Sequence, residues 1–182
     1  MVNTATPSNR KKRDSLLSSA KGSNLILIGF MGSGKSSVAR ILAKESGHLW
    51  VDTDSLLELR EGMSVAQIFE QHKEEGFRAL ERELAFQMRH SLQESIISTG
   101  GGMPLFCDLS SLGKLFFLDL PFEAILERLS KEERAKRPLL NDLSKAKALF
   151  NQRRSSYLHL ANHTLQADQS PLKVAQEILS LL

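Results

Sequence analysis

The sequence has a single cysteine, one tryptophan and one tyrosine among its 182 residues. With Cys107 alone, no internal disulfide can form, and the chain is compatible with a reducing compartment. A lone cysteine beside an apolar stretch is typical of packing rather than of nucleophilic chemistry. Long hydrophobic runs are missing as well, since none approaches the ~20 residues of a membrane span. We therefore expect a cytoplasmic protein without a membrane partner.

The sequence also lacks a strong charge excess in the part that we expect to fold. The formal net charge is +3, but residues 1–24 contain five basic groups and one acidic group. The remaining 19 basic and 20 acidic groups nearly balance over residues 25–182. No surface for nucleic acid is therefore indicated.

Residues 1–24 are rich in serine, threonine, asparagine and basic residues, which predicts a flexible basic extension. This segment has no apolar core of a secretory signal, and a transit peptide is the alternative that its arginine and serine content leaves open. Residues 25–182 have the length of one domain with a hydrophobic core. We expect this domain to be a monomer.

The segment Gly29–Ser36 fits the pattern G-x-x-x-x-G-K-[ST] between a predicted strand and a predicted helix. In that context the pattern is typical of a phosphate-binding loop, whose backbone N–H groups surround a polyphosphate. Lys35 can then reach the β- and γ-phosphates, and the Ser36 hydroxyl can bind Mg²⁺. The alternative is a glycine-rich turn with a solvated lysine. We predict a triphosphate site formed by Gly32, Ser33, Gly34, Lys35, Ser36 and Ser37.

Apolar runs alternate with helical patterns along residues 25–182. Ser64 begins a capping-box sequence, and an apolar stripe over residues 74–90 indicates a longer helix. The alternation predicts right-handed crossovers and helices on both faces of a parallel sheet, a three-layer α/β/α fold of the P-loop NTPase type. The five expected strands cover residues 25–28, 49–51, 95–98, 114–120 and 163–167.

Two groups of unusual residues follow the ends of predicted strands, where parallel sheets bind ligands. Asp52 and Asp54 are separated by one residue, so one carboxylate can hold a Mg²⁺-bound water while the other accepts a hydrogen bond from a substrate hydroxyl. The alternative for Asp54 is a cap on the helix that begins near Ser55. Gly100–Gly102 follow the third strand, and three successive glycines indicate a close approach of the backbone to another group.

Two basic features lie away from the strand ends. For Arg78, the neighbouring Glu81, Arg82 and Glu83 make a solvated helix face with ion pairs the default interpretation. The segment 130–141 is basic and broken by proline, which suggests a mobile lid that excludes water. Its alternative is an ordinary solvated connector.

Together these motifs resemble the shikimate kinase family over residues 25–182. The six matching segments are, in order, Gly29–Ser36, Asp52–Asp54, Phe77–Glu81, Ser98–Gly102, Arg137–Leu140, and Arg153 with Tyr157. The resemblance implies ATP-dependent phosphorylation of the 3-hydroxyl of shikimate, with Mg²⁺ as the cofactor, in aromatic amino-acid biosynthesis.

The resemblance also implies roles for individual residues. Asp54 would bind the shikimate hydroxyls and act in catalysis with Lys35 and Arg137; orientation is favoured over full general-base action, because a dissociative transition state demands little of a base. Arg128, near adenine, and Arg137, on the lid, would join the loop in binding ATP. The substrate would bind in a region at about 54–90, and the lid would lie at about 130–141. Shikimate would be bound by Asp54, Arg78, Gly100, Gly101, Gly102 and Arg153. Mg²⁺ would be held by Ser36 directly and by Asp52 through water.

Two alternatives of function stay open at this point. One is another small-molecule kinase of the same architecture, with gluconate or a nucleoside monophosphate as its acceptor. The other is a regulatory nucleotide-binding module without transfer activity. The intact set Lys35, Asp54, Arg78 and Arg153 argues against the second alternative.

Overall fold

A five-stranded parallel sheet lies at the centre of the structure, a computed structural model that describes residues 23–182 other than 131, 133, 135 and 136. The strand order is β2-β3-β1-β4-β5, so the first strand is central and buried along its whole length. The parallel sheet that the alternating pattern predicts is thus confirmed. Its strands are β1 (Asn24–Ile28), β2 (Leu49–Asp52), β3 (Ser95–Ser98), β4 (Gly113–Asp119) and β5 (His163–Gln166).

Helices connect the strands and cover the sheet. They are α1 (Lys35–Ser46), α2 (Thr53–Glu61), α3 (Val65–Ser91), α4 (Met103–Phe106), α5 (Phe122–Arg128), α6 (Leu143–Leu160) and α7 (Pro171–Ser180), with a 3₁₀ turn at Pro138–Leu140. Helices α1 and α7 pack together, while α6 packs against β4 and α4. This arrangement is the predicted α/β architecture. Within the part of the chain that the structure describes, no helix is long and apolar enough to span a membrane.

The predicted boundary of the extension at residue 24 needs a correction, because Asn24 belongs to β1 and is buried. Its side-chain amide donates to the Leu112 carbonyl at 2.8 Å and accepts from the Ser95 backbone N–H at 3.0 Å. Asparagine fits this buried position because its amide can satisfy backbone groups of two neighbouring segments. Residues 1–22 of the predicted extension lie outside the described residues.

The capping box at Ser64 is confirmed, since its hydroxyl accepts from the Gln67 backbone and the Gln67 side chain accepts from the Ser64 backbone. Helix α3 then combines the two predicted helices across a break at Lys73, whose φ of 58° and ψ of −176° are not helical. The second part of α3 therefore begins at Glu74.

The segment 130–141 is described in part. The 3₁₀ turn follows Arg137, whose backbone N–H donates to the Arg134 carbonyl at 2.9 Å. Leu140 is buried against the core, which attaches the end of the segment to the domain. The movement of a lid here stays a prediction.

Candidate active site

The phosphate-binding loop connects β1 to α1 at the carboxyl edge of the sheet. Gly34 precedes α1 with φ of 95°, a left-handed conformation that glycine adopts without strain. The Lys35 ammonium group is buried and donates to the carbonyls of Gly29 and Phe30 at 2.8 and 2.9 Å. These two hydrogen bonds from Lys35 stabilise the curved conformation of the loop.

Burial lowers the pKa of Lys35 to about 8, although Asp54 and Asp52 oppose the shift. A second buried group of the loop is the Ser33 hydroxyl, which has no hydrogen-bond partner among the described residues. Buried polar atoms are rarely left unpaired, so such an atom beside a phosphate-binding loop is a natural contact for a ligand.

The Asp52 carboxylate joins three elements at the end of β2. One oxygen accepts the Ser55 backbone N–H at 3.2 Å, so Asp52 is the N-cap of α2. The other accepts the hydroxyls of Ser36 and Ser98, each at 2.8 Å. The alternative that Asp54 caps this helix is therefore wrong, because the cap is two residues earlier. Ser98 belongs to one of the six matching segments, but the sequence assigned no role to its hydroxyl.

Asp54 lies in the first turn of α2 and faces the glycine run. A Cβ placed on Gly100 would lie 2.3 Å from one Asp54 carboxylate oxygen. The Gly100 backbone N–H donates to the buried Thr53 hydroxyl at 2.8 Å, which fixes this approach. Burial raises the pKa of Asp54 to about 6, with the negative charge of Asp52 adding to the shift. Near neutral pH the group is thus mainly a carboxylate that can accept a hydrogen bond.

Arg78 is buried inside α3, with 6% of its surface exposed. Its Nη1 donates to Glu81 at 2.6 Å, and its Nη2 and Nε lie 3.1 and 3.4 Å from Oε1 of Glu74. A Cβ on Gly102 would lie 2.4 Å from Nη1. The default interpretation is corrected in one respect: the ion pairs are present, but the guanidinium packs against Gly102 and is not solvated.

Aromatic rings and a buried acid fix the orientation of this guanidinium. Its central carbon lies 4.3 Å from the ring centroid of Phe106 and 5.4 Å from that of Phe77. Such cation–π contacts are favourable, particularly away from water. Burial raises the pKa of Glu81, although the hydrogen bond from Arg78 opposes the shift.

Arg153 extends from α6 toward the same glycine run and is also buried. Its Nη1 lies 3.7 Å from where a Cβ on Gly101 would be, and its Nε has no hydrogen-bond partner among the residues described. One turn along α6, the Tyr157 hydroxyl donates to the Gly101 carbonyl. Burial raises the pKa of Tyr157 to about 12, so this donor keeps its proton.

The three glycines therefore each face one predicted substrate-binding side chain. Gly100 lies against Asp54, Gly101 near Arg153 and Gly102 against Arg78. The structure brings these residues together from α2, α3, α6 and the turn after β3. They are far apart in the sequence.

Arg128 and Arg137 lie near the phosphate-binding loop. Arg128 donates to the carbonyls of Ala167 and Gln169 at 2.6 and 3.2 Å, and its Nη1 lies 3.7 Å from where a Cβ on Gly34 would be. The charge of Arg137 lowers the pKa of Lys35, which places the two groups within electrostatic reach. Ser37 is exposed on α1.

The parallel sheet, the phosphate-binding loop after β1 and the carboxylates after β2 define a P-loop kinase with a small-molecule acceptor. Within this class, the sequence model of the shikimate kinase family matches residues 31–182. The chain belongs to the shikimate kinase family.

Individual relatives agree with this assignment. A curated shikimate kinase of Helicobacter hepaticus is 42% identical over 159 residues, which cover 87% of this chain and 95% of the relative. The solved shikimate kinase of Acinetobacter baumannii, in complex with shikimate, matches with a TM-score of 0.81 and 30% identity. That match covers 91% of this chain and 96% of the solved chain. The structure from Aquifex aeolicus matches with a TM-score of 0.71 and 36% identity, covering 87% and 94% of the two chains.

Proposed function

We propose that this protein transfers the γ-phosphoryl group of ATP to the 3-hydroxyl of shikimate, giving shikimate 3-phosphate and ADP. Membership of the shikimate kinase family supports the reaction. The observation that carries the proposal is the convergence of Asp54, Arg78 and Arg153 on the three glycines beside the phosphate-binding loop. The activity belongs to aromatic amino-acid biosynthesis.

Shikimate combines a carboxylate with several hydroxyl groups, and the two ends require different partners. The planar fork of an arginine suits a carboxylate, because two parallel N–H groups can bind its two oxygens. Arg78 and Arg153 take this role in the proposal, while Asp54 accepts the hydroxyl. The glycines leave room for these three side chains beside the backbone.

On the nucleotide side, the phosphates are proposed to contact the loop from Gly32 to Ser37. Lys35 would turn from the Gly29 and Phe30 carbonyls toward the β- and γ-phosphates. Arg137, on a closing segment at 130–141, would add positive charge, and Arg128 would lie near the adenine. Phosphoryl transfer depends mainly on such alignment and charge neutralisation, so these cations would stabilise the negative charge of the transition state.

Mg²⁺ fits the oxygen donors present near the loop. The Ser36 hydroxyl and the Asp52 carboxylate are hard oxygen ligands 2.8 Å apart, and Mg²⁺ usually keeps several waters beside one or two protein groups. We assign Ser36 as a direct ligand and Asp52 as a ligand through water. When bound, the ion would neutralise charge on the phosphate oxygens.

A coupled ADP-release assay tests the proposed reaction. The purified protein with ATP and Mg²⁺ should turn over with shikimate, and Lys35→Met should remove this activity by eliminating the phosphate-binding cation. Turnover with gluconate or AMP, but not with shikimate, would assign a different small-molecule kinase. ATP binding without turnover on any acceptor would indicate a regulatory module.

We further propose that the enzyme acts as a cytoplasmic monomer. The single cysteine is compatible with a reducing compartment. Light scattering should give a mass near 20.3 kDa. A mass twice as large would contradict the monomer.

A further inference from the structure

The donor edge of Arg78 that could receive a substrate carboxylate is already occupied. Nη2 and Nε of Arg78 point to the same oxygen of Glu74, at 3.1 and 3.4 Å. We propose that Glu74 is a placeholder carboxylate, which binds this edge in the ligand-free protein and is displaced by the carboxylate of the substrate. The inference rests on the proposed function, because it requires that Arg78 binds an acid.

The two acidic partners of Arg78 differ in their freedom to leave. Glu81 has 1% of its side chain exposed and binds Nη1 at 2.6 Å, so its departure would leave a charge buried without a partner. Such a change is costly. The Glu74 side chain is 65% exposed. Glu74 can rotate into water and stay hydrated. It is therefore the partner that a substrate carboxylate can displace.

Repulsion between carboxylates favours the exchange. Arg78 carries one positive charge and already faces two carboxylates. A third carboxylate within ~4–6 Å would be repelled by the other two. Departure of Glu74 removes this repulsion and releases the Nε and Nη2 hydrogens together. These hydrogens form the edge that binds a carboxylate with two parallel hydrogen bonds.

The backbone holds Glu74 in position for this role. The break at Lys73 makes Glu74 the first residue of the second part of α3. A carboxylate at a helix start is favoured by the helix dipole, and a residue four positions before an arginine lies on the same helix face. Rotation of the Glu74 side chain alone can thus open the arginine edge.

The placeholder should weaken shikimate binding, since the substrate must compete with a tethered carboxylate. We expect Glu74→Gln to lower the Kd for shikimate about two- to fivefold, the effect of a half-exposed ion pair. The value of kcat should stay within about twofold, because Glu74 contacts neither reactant after displacement. Isothermal titration calorimetry and steady-state kinetics measure the two quantities.

A control variant and a control ligand separate this role from others. Glu75→Gln removes the same charge from the next residue, which is exposed and forms no ion pair in the described part of the chain, and it should leave Kd unchanged. The neutral methyl ester of shikimate should bind the native protein and Glu74→Gln equally, because it carries no competing carboxylate.

The outcomes are distinguishable. An unchanged or raised Kd for shikimate in Glu74→Gln, with an unchanged melting temperature, would overturn the placeholder and make Glu74 a support for Arg78. An equal gain for the ester would overturn it as well. Failure of the native protein to bind shikimate would instead refute the proposed function.

Discussion

At the residue scale, the fold shifts the pKa of Asp54 toward physiological pH. This pKa is raised to about 6, mainly by burial, and the ionised carboxylate accepts the hydrogen bond of a substrate hydroxyl more strongly than the protonated acid does. We predict that kcat/KM for shikimate falls about tenfold per pH unit below pH 6. A pH–rate profile with Mg·ATP at saturation measures this fall. An acidic limb nearer pH 4 would contradict the shift.

Asp54→Asn should remove most turnover while the fold survives. It should also raise stability. The folded pKa lies above the unfolded value of 3.8, so the stability of the native protein decreases as pH rises from about 4 to 6. One pKa unit corresponds to about 1.4 kcal/mol. The free energy of unfolding of Asp54→Asn should therefore exceed that of the native protein by about 1–3 kcal/mol above pH 6 and should equal it below pH 4. Denaturant unfolding at pH 4 and pH 8 measures both differences in stability. Near-normal turnover of Asp54→Asn would show that Asp54 is not a catalytic residue.

Arg78→Ala should raise the KM for shikimate by about 10- to 100-fold, the loss expected for charged hydrogen bonds. The affinity for ATP should stay nearly constant, because the phosphate-binding loop does not depend on Arg78. Steady-state kinetics with each substrate varied in turn measures both effects. Arg82→Ala, on the exposed side of α3, is the matched control. Equal losses for both substrates would show that Arg78 has a structural role.

At the element scale, the turn Gly100–Gly102 predicts a graded series of alanine variants. An alanine Cβ at residue 100 or 102 would meet Asp54 or Arg78 at 2.3–2.4 Å, whereas at residue 101 its nearest neighbours lie at 3.5 Å. The atoms in conflict at residues 100 and 102 are ends of side chains, so the fold should tolerate these two changes while the active site does not.

We expect Gly100→Ala to lower kcat at least tenfold, and Gly102→Ala to raise the shikimate KM at least tenfold, since small misplacements of reacting groups are costly. Gly101→Ala should remain within about threefold of the native enzyme. Kinetics and melting temperatures of the three variants test the series. A Gly101→Ala variant as impaired as its neighbours would contradict it.

Sequence patterns at this scale predicted the elements well, for local reasons. The capping box at Ser64, the strand before Gly29 and the helix after Lys35 each follow from residues a few positions apart. The pairing of each glycine with its own side chain could not be predicted, because Gly102 and Arg78 meet only through tertiary packing. The sequence could not assign the helix cap to Asp52, because Asp52 and Asp54 both follow the strand and either carboxylate can cap a helix.

At the scale of the whole molecule, the site depends on how α6 is held against the sheet. Arg153 reaches the glycines from this helix, and its neighbour Arg154 binds Asp119 at the end of β4 with two hydrogen bonds of 2.9 and 2.6 Å. Asp119 is buried, while the Arg154 side chain is 44% exposed. The ion pair therefore connects the substrate-binding helix to the central strands.

This asymmetry predicts unequal costs for removing the two partners. Arg154→Met leaves the buried Asp119 carboxylate with no donor among the described residues, which should lower the free energy of unfolding by about 1–3 kcal/mol. Asp119→Asn leaves a neutral amide and an arginine that can turn into water, so we expect a loss below about 1 kcal/mol. Chemical denaturation of both variants measures the difference.

The same pair should influence catalysis through the position of α6. Loosening this helix moves Arg153 but not the phosphate-binding loop, so Arg154→Met should raise the KM for shikimate more than the KM for ATP. Arg82→Met, an exposed arginine on α3, is the control for loss of surface charge. Equal destabilisation by Arg154→Met and Asp119→Asn, with no change in the shikimate KM, would show that α6 is held by its apolar contacts instead.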